Sequence, residues 1–151
     1  TRHELISALT HGPGPHIKTF GLGPGGRYRT NVWEYRGANS GGAARLEDLA
    51  LHPPVKPVSM IADALRDCSW RGGIVLDACG GSGSTLIAAE KTARRARLIE
   101  IDPLYVDRII RRWQAIAGDD AILVATGETF REREKEARVV DAKDEGRGEV
   151  V

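Results

Sequence analysis

The fold of this chain is governed by one glycine-rich stretch, Asp77-Ala78-Cys79-Gly80-Gly81-Ser82-Gly83-Ser84-Thr85. It follows a short aliphatic run at 74–76, which predicts a buried strand. It precedes an Ala-, Leu- and Glu-rich segment at 85–93, which predicts a helix. Glycines let the backbone turn sharply and approach a ligand, and the unpaired N–H groups at the helix start face that ligand. The order strand, glycine turn, helix therefore predicts a binding site for a nucleotide-like cofactor.

The second half of the sequence alternates between strand and helix patterns, which predicts an α/β fold with a parallel sheet. Asp102 is expected to cap the second helix and Pro103 to occupy its first position. The buried stripe of this helix is predicted to comprise Val106, Ile109, Ile110, Trp113 and Ile116. The expected elements are strand 74–76, helix 85–93, strand 97–101, helix 103–116 and strand 121–125.

The flanking regions are less regular. Apolar residues at spacings of three and four predict a helix that begins just after Pro57, and a charged helix is expected at 128–139. A strand is expected at 3–10, whereas residues 11–45 contain 9 of the 18 glycines and predict a long loop that is either functional or disordered. We therefore divide the chain into a glycine-rich basic region at 1–57, an α/β region at 58–139 and a mobile polar tail at 140–151.

Composition excludes several classes of protein. No apolar run approaches the roughly 18 residues of a membrane span, and the first residues show no basic segment followed by an apolar one, so a cytoplasmic protein is expected. Cys68 and Cys79 form no Cys-x-x-Cys pair, which disfavours a zinc site or a disulfide and predicts two small apolar residues. The formal net charge is +1, but residues 1–46 hold six Lys and Arg against two Glu. This local excess is compatible with phosphate contacts, or with an ordinary solvated surface.

The turn also lacks features that other nucleotide sites require. No lysine follows its last glycine, as a Walker loop needs, and Leu86 stands where a dinucleotide motif has its third glycine. Both absences favour a ligand without phosphates. Glu100, at the end of the next predicted strand, lies where a carboxylate accepts hydrogen bonds from ribose hydroxyls. The alternative is an exposed acid that pairs with a nearby arginine.

Three motifs together resemble a known family. They are the stretch at 76–85, the stretch Leu98-Ile99-Glu100-Ile101-Asp102-Pro103-Leu104-Tyr105, and His52-Pro53-Pro54-Val55-Lys56-Pro57. This set is similar to the S-adenosylmethionine-binding half of the DNA amino methyltransferases, which modify exocyclic amines of adenine or cytosine. The order of the motifs is that of the circularly permuted beta class. The resemblance implies a partial Rossmann-like methyltransferase fold with a parallel sheet, preceded by a long glycine-rich loop region.

The resemblance also implies roles for individual residues. Asp77 and the Gly80–Gly83 turn would surround the methionine portion of the cofactor, Glu100 would hold the ribose, and Lys56 would reach the cofactor carboxylate. Lys56 could instead be an ordinary exposed lysine. DNA is the implied partner, with Arg27 and Arg29 as candidate phosphate contacts. The full set of expected cofactor-binding residues is Lys56, Asp77, Cys79, Gly80, Gly81, Ser82, Gly83, Thr85, Glu100 and Asp102.

One element of the family is missing from the sequence. These enzymes hold the target amine with an Asp/Asn/Ser-Pro-Pro-aromatic tetrapeptide, which occurs nowhere in this chain. In the permuted order it would precede Thr1, which is not a methionine. We therefore expect a cofactor-binding part whose catalytic motif lies upstream or on a second chain. The alternatives are a noncatalytic module that binds S-adenosylmethionine or DNA, and a methyltransferase acting on RNA or a small molecule.

Overall fold

A computed structural model describes residues 5–7, 9, 11–13, 32–35 and 55–145. Arg27, Arg29 and His52 lie outside the described residues, as does most of the glycine-rich region at 1–57. Among the described residues the elements are α1 (Val58–Cys68), β1 (Ile74–Asp77), α2 (Ser84–Thr92), β2 (Arg95–Leu98), α3 (Pro103–Ala117) and α4 (Phe130–Glu145).

The two strands form a parallel pair joined by α2. Ile74 is in register with Arg95, and Asp77 is in register with Leu98, so both strands end at the same edge of the sheet. This arrangement confirms the α/β class with a parallel sheet. It also places the glycine turn, which follows β1, beside the segment that follows β2.

The buried core is centred on α2. Ile87, Ala88 and Ala89 are almost completely buried, and α2 packs against α1, α3 and β2. Two alanines in this face let the neighbouring elements approach closely, so α2 fixes the distance between the glycine turn and the rest of the fold. The other buried apolar residues that the structure describes are Val55, Ala62 of α1 and Ile109 of α3.

The helix α3 begins where the sequence predicts and is only partly covered. The Asp102 carboxylate accepts the Leu104 N–H at 2.9 Å, and Pro103 occupies the first position of the helix. Ile109 is buried, but Ile116, expected in the buried stripe, is 44% exposed. Trp113 is half-buried, and its indole N–H donates to Glu90 at 3.1 Å. The stripe is therefore tightly packed in the middle of the helix and open in its last turn.

The strand β2 occupies 95–98 rather than the predicted 97–101. The reason lies in Glu100, whose carboxylate accepts the N–H groups of Ile101 and Asp102 at 2.9 and 3.1 Å. These two N–H groups are turned toward a side chain and are unavailable to a neighbouring strand, so the chain leaves the sheet and enters α3.

The strand predicted at 121–125 is wrong. Only a single antiparallel bridge between Ile122 and Thr129 forms, around a turn in which Gly127 has a φ of 79°. The Leu123 carbonyl accepts the N–H groups of both Thr126 and Gly127. The segment thus satisfies its backbone locally, and none of the strands that the structure describes pairs with it beyond this bridge, so its apolar pattern does not produce a strand.

Both ends of the chain also differ from expectation. Residues 140–145, assigned to a mobile tail, belong to α4, while 146–151 lie outside the described residues. Of the strand expected at 3–10, the described residues 5–7 and 9 have no strand conformation. Cys68 and Cys79 are exposed rather than packed as small apolar residues. None of the helices that the structure describes is both long and apolar enough to cross a membrane.

Candidate functional site

The glycine turn is fastened to both strands by backbone and side-chain hydrogen bonds. The Asp77 carboxylate accepts the Cys79 N–H at 3.0 Å and so holds the first part of the turn. The Gly80 N–H donates to the Ile99 carbonyl at 2.9 Å, and the Ile99 N–H donates to the Asp77 carbonyl at 2.9 Å. The turn is therefore continuous with the sheet edge rather than a free loop.

A second, tighter turn follows within the stretch. The Gly83 N–H donates to the Gly80 carbonyl at 2.8 Å, with Gly81 between them at a φ of 52°. Gly83 then caps α2 in the left-handed conformation, with a φ of 75°. Both conformations disfavour residues with a Cβ, so the local backbone explains these two glycines.

The glycines differ in what surrounds them. A Cβ on Gly83 would lie 3.0 Å from the nearest Ile109 methyl carbon, and one on Gly80 would lie 3.3 Å from the Ile109 Cδ1. A Cβ on Gly81 would meet only the Cys79 carbonyl oxygen, at 3.8 Å. Gly80 and Gly83 thus leave room for Ile109 of α3, a packing role that the sequence did not indicate. Of these three glycines, only Gly81 has open space where a side chain would lie, and we call this its open face.

Glu100 reaches across to this open part of the turn. One carboxylate oxygen accepts the Gly81 N–H at 2.6 Å, and the other accepts the N–H groups of Ile101 and Asp102. The side chain is half-buried. Hydrogen bonds from N–H groups to a carboxylate favour its charged form, so this geometry fixes an anion beside Gly81.

Lys56 is joined to the site by its backbone carbonyl. The Ser84 hydroxyl donates to the Lys56 carbonyl at 3.0 Å, which ties the residue before α1 to the first residue of α2. Lys56 is half-buried, as is Thr85 in the next position of α2. The structure thus brings the predicted lysine next to the glycine turn although 28 positions separate it from Ser84 in sequence.

Arg112 is a member of this cluster that the sequence reasoning missed. Its Nη1 donates to the Ser82 carbonyl at 2.8 Å and to the Ser84 hydroxyl at 3.3 Å, and the Ser82 hydroxyl lies 3.2 Å from the Ser84 hydroxyl. Arg112 lies three positions after Ile109 on α3, on the same side of the helix. That spacing was a usable signal, because Ile109 was already assigned to the face of α3 that packs inward.

The site thus assembles nearly all of the expected residues. Asp77 and Cys79 lie at the start of the turn, Gly80–Gly83 form its centre, and Glu100 and Asp102 lie in the segment after β2. The Asp102 carboxylate is engaged in the cap of α3. The cluster holds carboxylates beside N–H groups, and the Arg112 guanidinium contacts the turn from α3. Such a set can bind a ligand that carries hydroxyl or ammonium groups.

Several kinds of chemistry have no counterpart among the described residues. In the ranges that the structure covers, no group of three His, Cys, Asp or Glu side chains could hold a metal ion. The Cys68 side chain is exposed, yet partial removal of its thiol from water raises the pKa of that thiol, and the neighbouring Asp67 carboxylate raises it further. Cys68 is therefore a protonated thiol at neutral pH, and it lies at the end of α1 rather than in the glycine turn.

Comparisons with known proteins agree on one family. The family described as DNA methylase matches residues 10–111. The Type II methyltransferase M.ScaI of Streptomyces caespitosus is 33% identical over 94 residues, which are 62% of this chain and 31% of that protein. The chain therefore spans about a third of the length of this curated relative.

A solved structure shows a partial likeness. A protein of Thermus thermophilus, TTHA0409, described as a DNA modification methylase and solved in complex with S-adenosyl-L-methionine, is 24% identical. The match has a TM-score of 0.40 and covers 66% of this chain and 50% of the other.

Proposed function

This chain belongs to the DNA methylase family, and from that premise we propose that it is the cofactor-binding part of a DNA amino methyltransferase. The cofactor would be S-adenosylmethionine, which supplies the methyl group when bound. The acceptor would be the exocyclic amine of adenine or cytosine. The match spans the glycine turn, Glu100 and most of α3, so membership of the family rests on the same residues that form the site.

The observation that carries the proposal is the position of Glu100 beside Gly81. The Gly81 N–H lies 2.6 Å from a Glu100 oxygen, and Gly81 is the glycine of the turn with an open face. A ribose placed there would meet a carboxylate, the group that accepts ribose hydroxyls in nucleotide-binding α/β sheets. Because three N–H groups already occupy this carboxylate, a ribose hydroxyl would join or replace the Gly81 N–H at its oxygen. This fits a nucleoside cofactor better than a phosphate ligand, because the fixed negative charge would repel a phosphate.

The remaining roles are proposed from charge and position. The Asp77 carboxylate lies at the start of the turn, where it would favour the ammonium or sulfonium charge of the cofactor. Lys56, held next to Ser84, would reach the cofactor carboxylate. Further proposed contacts come from the turn and its flanks, namely Cys79, Gly80, Ser82, Gly83, Thr85 and Asp102.

Methyl transfer itself requires groups that this sequence does not contain. The target base must leave the duplex, and its amine must be aimed at the methyl group by hydrogen-bond acceptors. The Asp/Asn/Ser-Pro-Pro-aromatic tetrapeptide that does this in the resembling enzymes does not occur here. We therefore propose that another segment or a second chain supplies the base-binding half of the site.

The sheet offers a surface on which such a half could pack. Ile74 and Leu76 point to one face of β1 and are 61% and 71% exposed, and Ile99, just after β2, is 60% exposed. Parallel sheets normally have both faces covered by other elements. The same face carries the exposed Arg95 and Arg97, which are in register with Ile74 and Leu76, so it is partly apolar and partly basic. An exposed sheet face of this kind supports cover by a further segment, and it favours the methyltransferase part over a self-sufficient binding module.

DNA is the proposed macromolecular partner. A DNA methylase acts on a polyanion, and the excess of basic residues at 1–46 is compatible with phosphate contacts. Arg27 and Arg29 are proposed for this role. Their double alanine variant, made in the complete enzyme, should reduce the dependence of DNA affinity on salt concentration. An unchanged salt slope would remove them from the DNA interface.

Calorimetry on the 151-residue chain tests the cofactor proposal directly. We expect binding of S-adenosylmethionine and of its demethylated product, and weaker binding by roughly 1.5–3 kcal/mol in Glu100→Ala, the range for hydrogen bonds to a charged group. Glu136→Ala on the exposed surface of α4 is the control and should bind like the wild type. No heat with either ligand would contradict the proposal. Equal affinity of Glu100→Ala and the wild type would contradict the ribose role alone.

A further inference from the structure

Arg112 connects three separate segments of the site through one nitrogen atom. Its Nη1 donates to the Ser82 carbonyl at 2.8 Å, inside the glycine turn, and to the Ser84 hydroxyl at 3.3 Å, at the first position of α2. The same Ser84 hydroxyl donates to the Lys56 carbonyl at 3.0 Å. The chain of contacts therefore runs from α3 through the turn to the residue before α1.

The contact is of a kind that restrains the backbone. A hydrogen bond from a guanidinium to a carbonyl is charge-assisted, and it is stronger than one between neutral groups. Because the peptide unit is planar, fixing the Ser82 carbonyl also fixes the direction of the Gly83 N–H that follows it. That N–H donates to the Gly80 carbonyl at 2.8 Å, so Arg112 acts on the hydrogen bond that closes the turn.

The turn has a particular need for such a restraint. Gly80, Gly81 and Gly83 give it more conformational freedom than any other residues could, and each loses that freedom when the site takes one shape. Two of them are held by packing against Ile109, and Gly81 is held by Glu100. Ser82 lies between these points, and Arg112 is the side chain that holds its carbonyl.

We infer that Arg112 is a positioning residue of the site, which keeps the Gly80–Ser84 turn and the Lys56 backbone in one arrangement. The consequence for ligand binding rests on the function proposed above. Arg112 reaches the turn from α3 and acts through Ser82 and Ser84, and it is not assigned a contact with the cofactor.

The test compares Arg112→Met with Arg111→Met in the full chain. Arg111 is the adjacent residue of α3, and its guanidinium pairs with Asp107 and Glu134 instead of the turn. Two quantities are measured, namely the exchange rate of the Gly83 amide hydrogen and the dissociation constant for S-adenosylmethionine. We expect Arg112→Met to speed exchange at Gly83 and to weaken cofactor binding, each by about tenfold or more, whereas Arg111→Met changes neither.

The Arg112→Lys variant distinguishes a role in positioning the turn from a general effect on the stability of the fold. A lysine keeps the charge and can donate to one acceptor, but it lacks the planar donor set of the guanidinium. It should restore part of the Gly83 protection and part of the affinity. Wild-type exchange and affinity in a folded Arg112→Met variant would overturn the inference.

The inference can still be tested if Arg112→Met does not fold or if the wild-type chain binds no cofactor. If Arg112→Met does not fold, Ser84→Ala removes the hydroxyl that joins Arg112 to Lys56, and wild-type affinity in that variant would overturn the link between the segments. If the wild-type chain binds no cofactor, the proposed function fails. The exchange rate of the Gly83 amide still decides whether Arg112 holds the turn.

Discussion

The Glu100 carboxylate accepts the backbone N–H of Gly81 at 2.6 Å, across 19 positions of sequence. This bond joins the end of β2 to the middle of the glycine turn. The same side chain also accepts the N–H groups that begin the approach to α3. One carboxylate thus determines where the strand ends, how the turn is held and where negative charge stands in the site.

Replacing Glu100 with Gln should destabilise the chain even without ligand. The amide keeps the size of the side chain, but its neutral oxygen accepts more weakly, and its NH2 group cannot accept the remaining N–H groups. We expect the free energy of unfolding to fall by about 1–3 kcal/mol, measured by chemical denaturation. Glu136→Gln, on the exposed part of α4, should leave it unchanged. An unaltered denaturation midpoint for Glu100→Gln would show that the three bonds add no stability.

Gly83→Ala tests the close contact between the turn and α3. Its matched control is Gly118→Ala at the end of α3, because Gly118 has a φ of 72° and a Cβ there would meet nothing within 4 Å. Both variants incur the roughly 1–2 kcal/mol cost of a left-handed alanine. Gly83→Ala should lose more, since its Cβ would lie 3.0 Å from an Ile109 carbon.

The comparison of the two glycine variants is made by thermal unfolding. Shortening the neighbour, as Ile109→Val in the Gly83→Ala background, should recover part of the extra loss if the clash causes it. Equal losses in Gly83→Ala and Gly118→Ala would mean that Ile109 yields without cost, and that Gly83 is required for its φ alone.

Ile74→Thr and Val75→Thr test which face of β1 is open. Ile74 is 61% exposed, whereas Val75 is half-buried on the face covered by helices. We expect Ile74→Thr to change the free energy of unfolding by no more than about 0.5 kcal/mol, as surface changes usually do. Val75→Thr should lower it by more than that. Light scattering should show less self-association for Ile74→Thr, because the exposed apolar face is reduced. A large destabilisation by Ile74→Thr would contradict the open face.

Thr129 and Glu132 form a reciprocal cap at the start of α4. The Glu132 carboxylate accepts the Thr129 N–H at 2.8 Å, and the Thr129 hydroxyl lies 3.3 Å from the Glu132 N–H. Thr129→Ala should reduce stability by about 1 kcal/mol, the usual value for loss of such a cap. Thr129→Ser retains the hydroxyl and is the control. Circular dichroism at 222 nm during denaturation measures the stability of both variants. Equal denaturation curves for Thr129→Ala and Thr129→Ser would rule out the cap.

The start of α4 should also loosen in acid. Hydrogen bonds from the Thr129 N–H and hydroxyl lower the pKa of Glu132, and hydrogen bonds from Thr126 and Arg133 lower the pKa of Glu128. A depressed pKa stabilises the fold above the ordinary value of 4.5, and this contribution disappears as pH falls through the lowered value. Amide chemical shifts of 129–133 should therefore move toward coil values only below pH 4.5. Movement between roughly pH 7 and 5 would contradict this assignment.

Much of the fold could be predicted from the sequence because the deciding signals are local. The aliphatic run before the glycines gives β1, although Ile74 and Leu76 are exposed where a buried strand was predicted, and the Asp102-Pro103 pair gives the start of α3. Caps and periodic apolar stripes act between residues three or four positions apart, so they are visible in a linear pattern. The position of Glu100 beside the turn also follows, because parallel strands end at the same edge of the sheet.

Local patterns mislead where a residue has a competing partner. The apolar run at 121–125 has a strand composition, but its backbone groups bond within their own turn. The helix α4 continues to Glu145, beyond the predicted end at 139, because Ala142, Lys143 and Glu145 have high intrinsic helix propensity. The first result depends on the local turn at 123–127, whereas the second was available from propensity and was missed because the polar composition indicated a tail.

The sequence by itself therefore determined that this chain has a strand, a glycine turn and a helix in that order, with Glu100 close after the end of the next strand. Only the tertiary structure showed that Gly80 and Gly83 make room for Ile109, that Gly81 is the open glycine, and that Arg112 holds the Ser82 carbonyl. The physical reason is the distance along the sequence over which each kind of interaction acts. Backbone preferences and caps depend on neighbours a few positions away, whereas these contacts join residues up to 30 positions apart and exist only once α3 packs against the turn.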